Sequence, residues 1–222
     1  MCKLPDKIQP KNKTQLKRLI DYAFKHNIYD LNFIDKSNIT NMSNLFMNCE
    51  NDIDVSNWDV SNVTTTFCMF VGCKKFNSDL SNWDVSNVKN MNNMFYCCKN
   101  FDCDLSNWNV SNVTDMYSMF TACENFKGKG LDNWDVSKAE DMRFMFYNCK
   151  NFNCDLSNWD MSKALRINEM FYGCKNFEGK GLENWKLEKT LFYYDIFTGC
   201  DKVKLPSWYK AFLKRCNLEF FK

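Results

Sequence analysis

Histidine, proline and glycine are scarce in this chain: 222 residues hold one His, three Pro and seven Gly. The single histidine, His26, falls in a helical pattern near the N-terminus, away from the repeat cysteines, so a Cys–His nucleophile has no base to draw on. Glycine-rich phosphate loops are absent, since the GKG runs at 128–130 and 179–181 lack the rest of a P-loop and the strand before it. No Pro/Gly/Ser-rich linker divides the chain, which argues for one elongated domain. A run of about 18 apolar residues is also missing, so no membrane-spanning helix is expected. The N-terminal stretch MCKLPDKIQPKNKTQLKRLIDYAF has no apolar core or small-residue cleavage site, and an intracellular or virion-associated location is expected. A formal charge of +2 gives little steering toward nucleic acid or a membrane surface.

What the chain has in abundance is repetition. Tryptophan returns at Trp58, Trp83, Trp108, Trp134, Trp159 and Trp185, at spacings of 25, 25, 26, 25 and 26 residues. A Phe-x-x-Cys pair follows each, as at Phe95/Cys98 and Phe120/Cys123, and one precedes the first at Phe46/Cys49. A fixed period in this range predicts a solenoid, each repeat being a unit that cannot bury its apolar face alone. In LSNWDVSNVKNMNNMFYCCKNF (Leu80–Phe101), the alternation around Trp83 and Val85 predicts a short strand over 82–86 with Asn82, Asp84 and Ser86 outward. Val88, Met91, Met94, Phe95 and Cys98 then recur at helical spacing, with Ser86 or Asn87 to cap the start. The expected fold is therefore an α/β solenoid, a leucine-rich-repeat-like stack of about seven coils with one short strand and one short helical segment each. A mainly β solenoid with short 3₁₀ turns is the alternative.

Flanking segments read as lids. Leu16, Leu19, Ile20, Ala23 and Phe24 form an apolar helical face over 13–29, with Asn12 or Thr14 as N-cap, so residues 1–30 are expected to be an N-terminal capping helix. Residues 31–204 form the repeat array, beginning with a degenerate coil in which Ile34 replaces Trp. Residues 205–222 are expected to hold a C-terminal capping helix, with Pro206 near its start. The extra residue of the longer copies lies in FKGKGL (Phe126–Leu131) and FEGKGL (Phe177–Leu182), which predicts a surface loop. Of thirteen cysteines, seven share one repeat position from Cys49 to Cys200. They read as reduced, buried small hydrophobes, with disulfides as the alternative. No CxxC pair exists, so zinc is not expected.

The recurring W-D-V-S-N-V-T-x-M-x-x-M-F-x-x-C signature, over roughly residues 30 to 200, resembles the BspA-like surface-protein repeats, often grouped with leucine-rich repeats. The resemblance implies adhesion or protein binding, although the signal peptide and lipid-attachment cysteine of surface members are not matched in this sequence.

Two outward columns are the most distinctive exposed feature. Asn57, Asn82, Asn107, Asn133, Asn158 and Asn184 form one, and Asp59, Asp84, Asn109, Asp135, Asp160 and Lys186 the next. Amides at about 4.8 Å can bond along a column as a purely structural ladder. Like charges at that distance are unfavourable, which points instead to a stripe that receives a basic or polar partner. The candidate partner-binding residues are Asn82, Asp84, Asn107, Asn109, Asn133, Asp135, Asn158 and Asp160. The tryptophans and Met/Phe pairs read as core. Lys74, Lys99, Lys150 and Lys175 share their column with Glu50, Glu124 and Asp201 and read as a solvated edge. No catalytic residue, cofactor or metal ligand is assigned. The expected function is a non-enzymatic repeat scaffold that binds another protein through its strand face. The alternative is a structural component, a minor or cement protein, of a viral particle or surface layer, with a place in a larger assembly.

Overall fold

A computed structural model describes residues 7–215. Helix α1 spans Lys13–Lys25, and Asn12 is its N-cap, its Oδ1 accepting from the Gln15 N–H at 3.0 Å. Leu16, Ile20 and Ala23 of α1 are fully buried against the first coil. Helix α2, Ser207–Arg215, begins directly after Pro206 and buries Tyr209. The remainder of the expected C-terminal lid, residues 216–222, lies outside the described residues, as do residues 1–6 of the N-terminal one.

Between the two helices the expected α/β solenoid of leucine-rich-repeat type is corrected. Among the described residues no coil holds a strand or an α-helical segment; only two 3₁₀ turns occur there, Leu131–Asn133 and Leu182–Asn184. The mainly β alternative fails as well, because β pairing is reduced to isolated parallel bridges such as Thr65 with Asn90 and Asn90 with Asp115.

The physical reason for the missing strand lies in the Asp and Ser residues themselves. Asp79 Oδ1 accepts the Ser81 N–H at 2.9 Å, and Asp84 Oδ1 accepts the Ser86 N–H at 3.0 Å. Trp83 N–H turns back to Leu80 O and Val88 N–H to Val85 O, at 3.0 and 2.9 Å. Those local bonds consume donors that a strand would offer its neighbour. The apolar alternation is kept: Trp83 and Val85 are buried while Asn82 and Asp84 are exposed.

The missing helix has a different cause. Asn93 and Cys97 adopt left-handed backbone angles, φ 56° and 61°, and the same two positions are left-handed in coil after coil, as at Ser118 and Ala122 or Phe144 and Asn148. Met94 N–H reaches Met91 O at 3.1 Å and Cys98 N–H reaches Phe95 O at 2.9 Å, three residues back rather than four. The N–H groups between them point out of the coil: Met91, Asn93, Phe95 and Cys97 donate to Asp115, Tyr117, Met119 and Thr121 at 2.8–3.0 Å. Repeated tight turns thus reproduce the i, i+3, i+6, i+7 spacing of an amphipathic helix. Each non-glycine left-handed residue costs about 1–2 kcal/mol, offset by intercoil bonds that leave few backbone donors unpaired.

Coil-to-coil contacts repeat down the stack. Phe70 and Phe95 rings lie 5.6 Å apart and within 1° of parallel, as do Phe95 and Phe120 at 5.6 Å and 9°. Each tryptophan indole N–H donates to a carbonyl of the coil before, for example Trp83 to Val55 O at 3.0 Å and Trp159 to Leu131 O at 2.7 Å. In α2, Trp208 continues that column, donating to Leu182 O at 2.8 Å and stacking on Trp185 at 6.3 Å. The eleven cysteines among the described residues are all free thiols. The inserted residue of the longer copies is absorbed in a close-packed turn: Gly130, at φ 89°, is buried against the Ser106 backbone and leads into the 3₁₀ turn, while Lys127 and Lys129 stay exposed.

Candidate interaction surface

The structure places all eight sequence-derived candidates on the exterior of the stack: Asn82, Asp84, Asn107, Asn109, Asn133, Asp135, Asn158 and Asp160 are each exposed. Their side chains are largely engaged in shaping their own coil. Asp84, Asn109, Asp135 and Asp160 each hold, through Oδ1, the N–H two residues on, at 2.9–3.1 Å. The Ser137 hydroxyl and N–H keep the Asp135 carboxyl below its ordinary pKa, and the Ser162 N–H and hydroxyl do the same for Asp160. In the asparagine column, Asn107 Nδ2 donates to Ser81 O at 3.3 Å and Asn158 Nδ2 to Asp132 O at 3.1 Å. These amides tie one coil to the backbone of the coil before rather than to each other. Asn82 and Asn133 make no side-chain hydrogen bond among the described residues.

A second surface carries the large exposed aromatics. It is formed by the variable positions of the M-x-x-M-F-x-x-C segment, which the intercoil bonding turns outward. Phe67, Tyr96, Phe192 and Tyr194 are exposed, and Tyr117, Phe144, Tyr147 and Tyr172 are half-buried. The central members touch: Tyr117 meets Phe144 edge-on at 5.6 Å, Phe144 lies 6.0 Å from Tyr147, and Tyr147 stacks on Tyr172 at 4.7 Å. The Arg143 guanidinium sits 5.0 Å from the Tyr117 ring centroid while pairing Asp141 at 2.6 Å, and Arg166 approaches the same carboxylate at 3.4 Å. Asp115 Oδ2 accepts from Asn90 Nδ2 and Asn92 Nδ2 at 3.4 and 3.3 Å. The result is an aromatic ridge whose interspersed charges are already engaged by neighbouring side chains.

Sequence reading by repeat consensus passes over this ridge because its residues differ from coil to coil. The available signal was the excess of Tyr, Phe and Arg at positions the consensus leaves open. The alternating left-handed backbone is what aims them outward.

Burial pushes the thiol pKa values up, to about 12 for Cys73 and Cys200 and well above the ordinary value for Cys98, Cys123 and Cys174. His26 Nδ1 lies 2.8 Å from Tyr22 O within the α1 region. Among the described residues no group of three or more His, Cys, Asp or Glu is placed to hold a metal ion, and no helix is long and apolar enough to cross a membrane.

No curated protein and no solved structure matches the chain. A family model matches twice in tandem, over residues 14–130 and 103–209, and so covers most of the repeat array. The chain belongs to that repeat-containing family, described as Mycoplasma protein of unknown function, DUF285.

Proposed function

We propose that this chain is a non-enzymatic repeat scaffold that binds another protein, and that the ridge of Tyr96, Tyr117, Phe144, Tyr147 and Tyr172 is its contact surface. The observation that carries this reading is the contiguous run of rings from Tyr117 through Phe144 and Tyr147 to Tyr172, with Arg143 laid over Tyr117. Tyrosine and arginine are enriched at the energetic centres of protein interfaces, and Tyr buries large area at small entropic cost. Half-exposed rings in mutual contact are also unusual on a surface with no partner to cover them. The resemblance to BspA-like repeats, whose members are implicated in protein binding, agrees with this reading.

The test compares capture of a host protein, identified by mass spectrometry, on three versions of the full chain. Tyr96→Ala/Tyr147→Ala/Tyr172→Ala is expected to lower capture of that protein by roughly tenfold or more. Asp84→Asn/Asp135→Asn/Asp160→Asn is expected to leave it unchanged. Loss on the second variant alone would move the contact to the Asn/Asp columns, and undiminished capture on the tyrosine variant, with circular dichroism unaltered, would overturn the ridge.

A further inference from the structure

The column of Tyr96, Tyr147 and Tyr172, broken by Thr121, does not continue into the coil before Tyr96, which has Val71 there; where the tyrosine coils next have Cys97, Asn148 and Gly173, it has Gly72. Gly72 is left-handed, φ 73°, and a Cβ there would overlap Asn48 Oδ1 of the coil before, so a side chain would fit only if that amide moved. The two small residues open a hollow of about 550 Å³, walled by Asn48, Tyr96 and Cys97 and rimmed by Lys74 and Lys75.

Several lysines along the stack are paired with carboxylates, and those of the rim are not. Lys99 and Lys150 both pair with Glu124, at 2.8 and 2.6 Å, and Lys129 and Lys180 pair with Asp104 and Asp155, at 2.7 and 2.6 Å. Lys127 pairs with Asp102. Lys74 and Lys75 are exposed and engage no carboxylate among the described residues. Glu50 also lines the hollow and leaves it one positive charge in excess. Tyr96 belongs to both the hollow and the ridge, so a chain lying along the ridge passes over the opening.

We propose that this hollow anchors a Glu or Asp side chain of an acidic extended segment in the bound protein, a reading that rests on the ridge being the contact surface. Val71 and the Tyr96 ring face the methylenes of such a side chain. Lys74 and Lys75 supply the opposite charge, and the Tyr96 hydroxyl supplies a hydrogen-bond donor.

The test needs no natural partner. A blocked Glu-rich hexapeptide, its Gln counterpart and inorganic phosphate are titrated separately into the full-length chain and followed by amide NMR. The Glu peptide is expected to shift Gly72, Tyr96 and Cys97 and to bind roughly fivefold more tightly than the Gln peptide, a difference that Lys74→Gln/Lys75→Gln abolishes. Alkylation of Cys97 supplies a second readout: iodoacetate relative to iodoacetamide should slow several-fold on the double variant. Equal binding of the two peptides, shifts centred away from Gly72, or a phosphate response as strong as that of the Glu peptide would each overturn the proposal. Such a failure beside a sustained loss of capture by the tyrosine variant removes the hollow and keeps the ridge; loss of the tyrosine effect removes the ridge instead.

Discussion

The Cys123 Sγ lies 3.0 Å from the carbonyl oxygen of Phe95, so the thiol of one coil closes a bond on the backbone of the coil before. Cys98 with Phe70 and Cys149 with Phe120 repeat the relationship at 2.9 and 2.8 Å. The cysteine column is a set of intercoil donors as well as a packing column, which separates the thiol from a plain small hydrophobe.

Cys123→Ala should therefore lower stability by about 1–2 kcal/mol, through the lost sulfur contacts and the lost donor. Cys123→Ser keeps a donor within reach of Phe95 O and is expected to lose less than the alanine variant. Urea midpoints of the two variants check this, and an alanine variant at least as stable as the serine one would show that the S–H donor contributes nothing.

Alkaline pH should unfold the stack progressively. Burial pushes the thiols of Cys73 and Cys200 up to about 12 and raises Cys98, Cys123, Cys149 and Cys174 too, against about 8.5 for an unfolded cysteine. Below pH 8.5 both states are protonated and the stabilisation is complete. Above it the unfolded chain releases protons that the folded chain keeps, so stability falls as pH rises toward 12. Lys36, buried over the Trp58 ring at 4.7 Å and lowered by that burial to about 8, acts in the opposite sense between pH 8 and 10.5. One amine is outnumbered by the thiols. Urea midpoints measured from pH 7.5 to 10 should decline, and a rising or flat profile would mean that the thiols are not held protonated.

The first and second glycine positions of the longer repeats should differ in their tolerance of added side chains. A Cβ on Gly130 meets the Ser106 backbone, whereas one on Gly179 meets the Val203 side chain first, which can shift. Both glycines are left-handed, at φ 89° and 78°. Gly130→Ala is expected to cost on the order of 3 kcal/mol, and Gly179→Ala visibly less. Thermal unfolding of the pair distinguishes them, and equal losses would assign the whole cost to backbone angle.

Within the repeat, the residues alone determined the inside and the outside. Trp83, Val85, Met94, Phe95 and Cys98 are buried because apolar side chains recurring in phase have only each other to pack against. Spacing could not choose among strand, helix and turn, because three-residue turns repeated along a coil copy helical periodicity. The decision rests on where Asn93 and Cys97 send their N–H groups, to Tyr117 and Thr121 of the next coil, and those partners are about 24 residues away in sequence. The same long-range bonding aims Tyr96, Tyr147 and Tyr172 at solvent and leaves Gly72 as a gap between Asn48 and Cys97. A column of like residues is legible in one dimension; a ridge made from unlike residues exists only once the coils have been set in register.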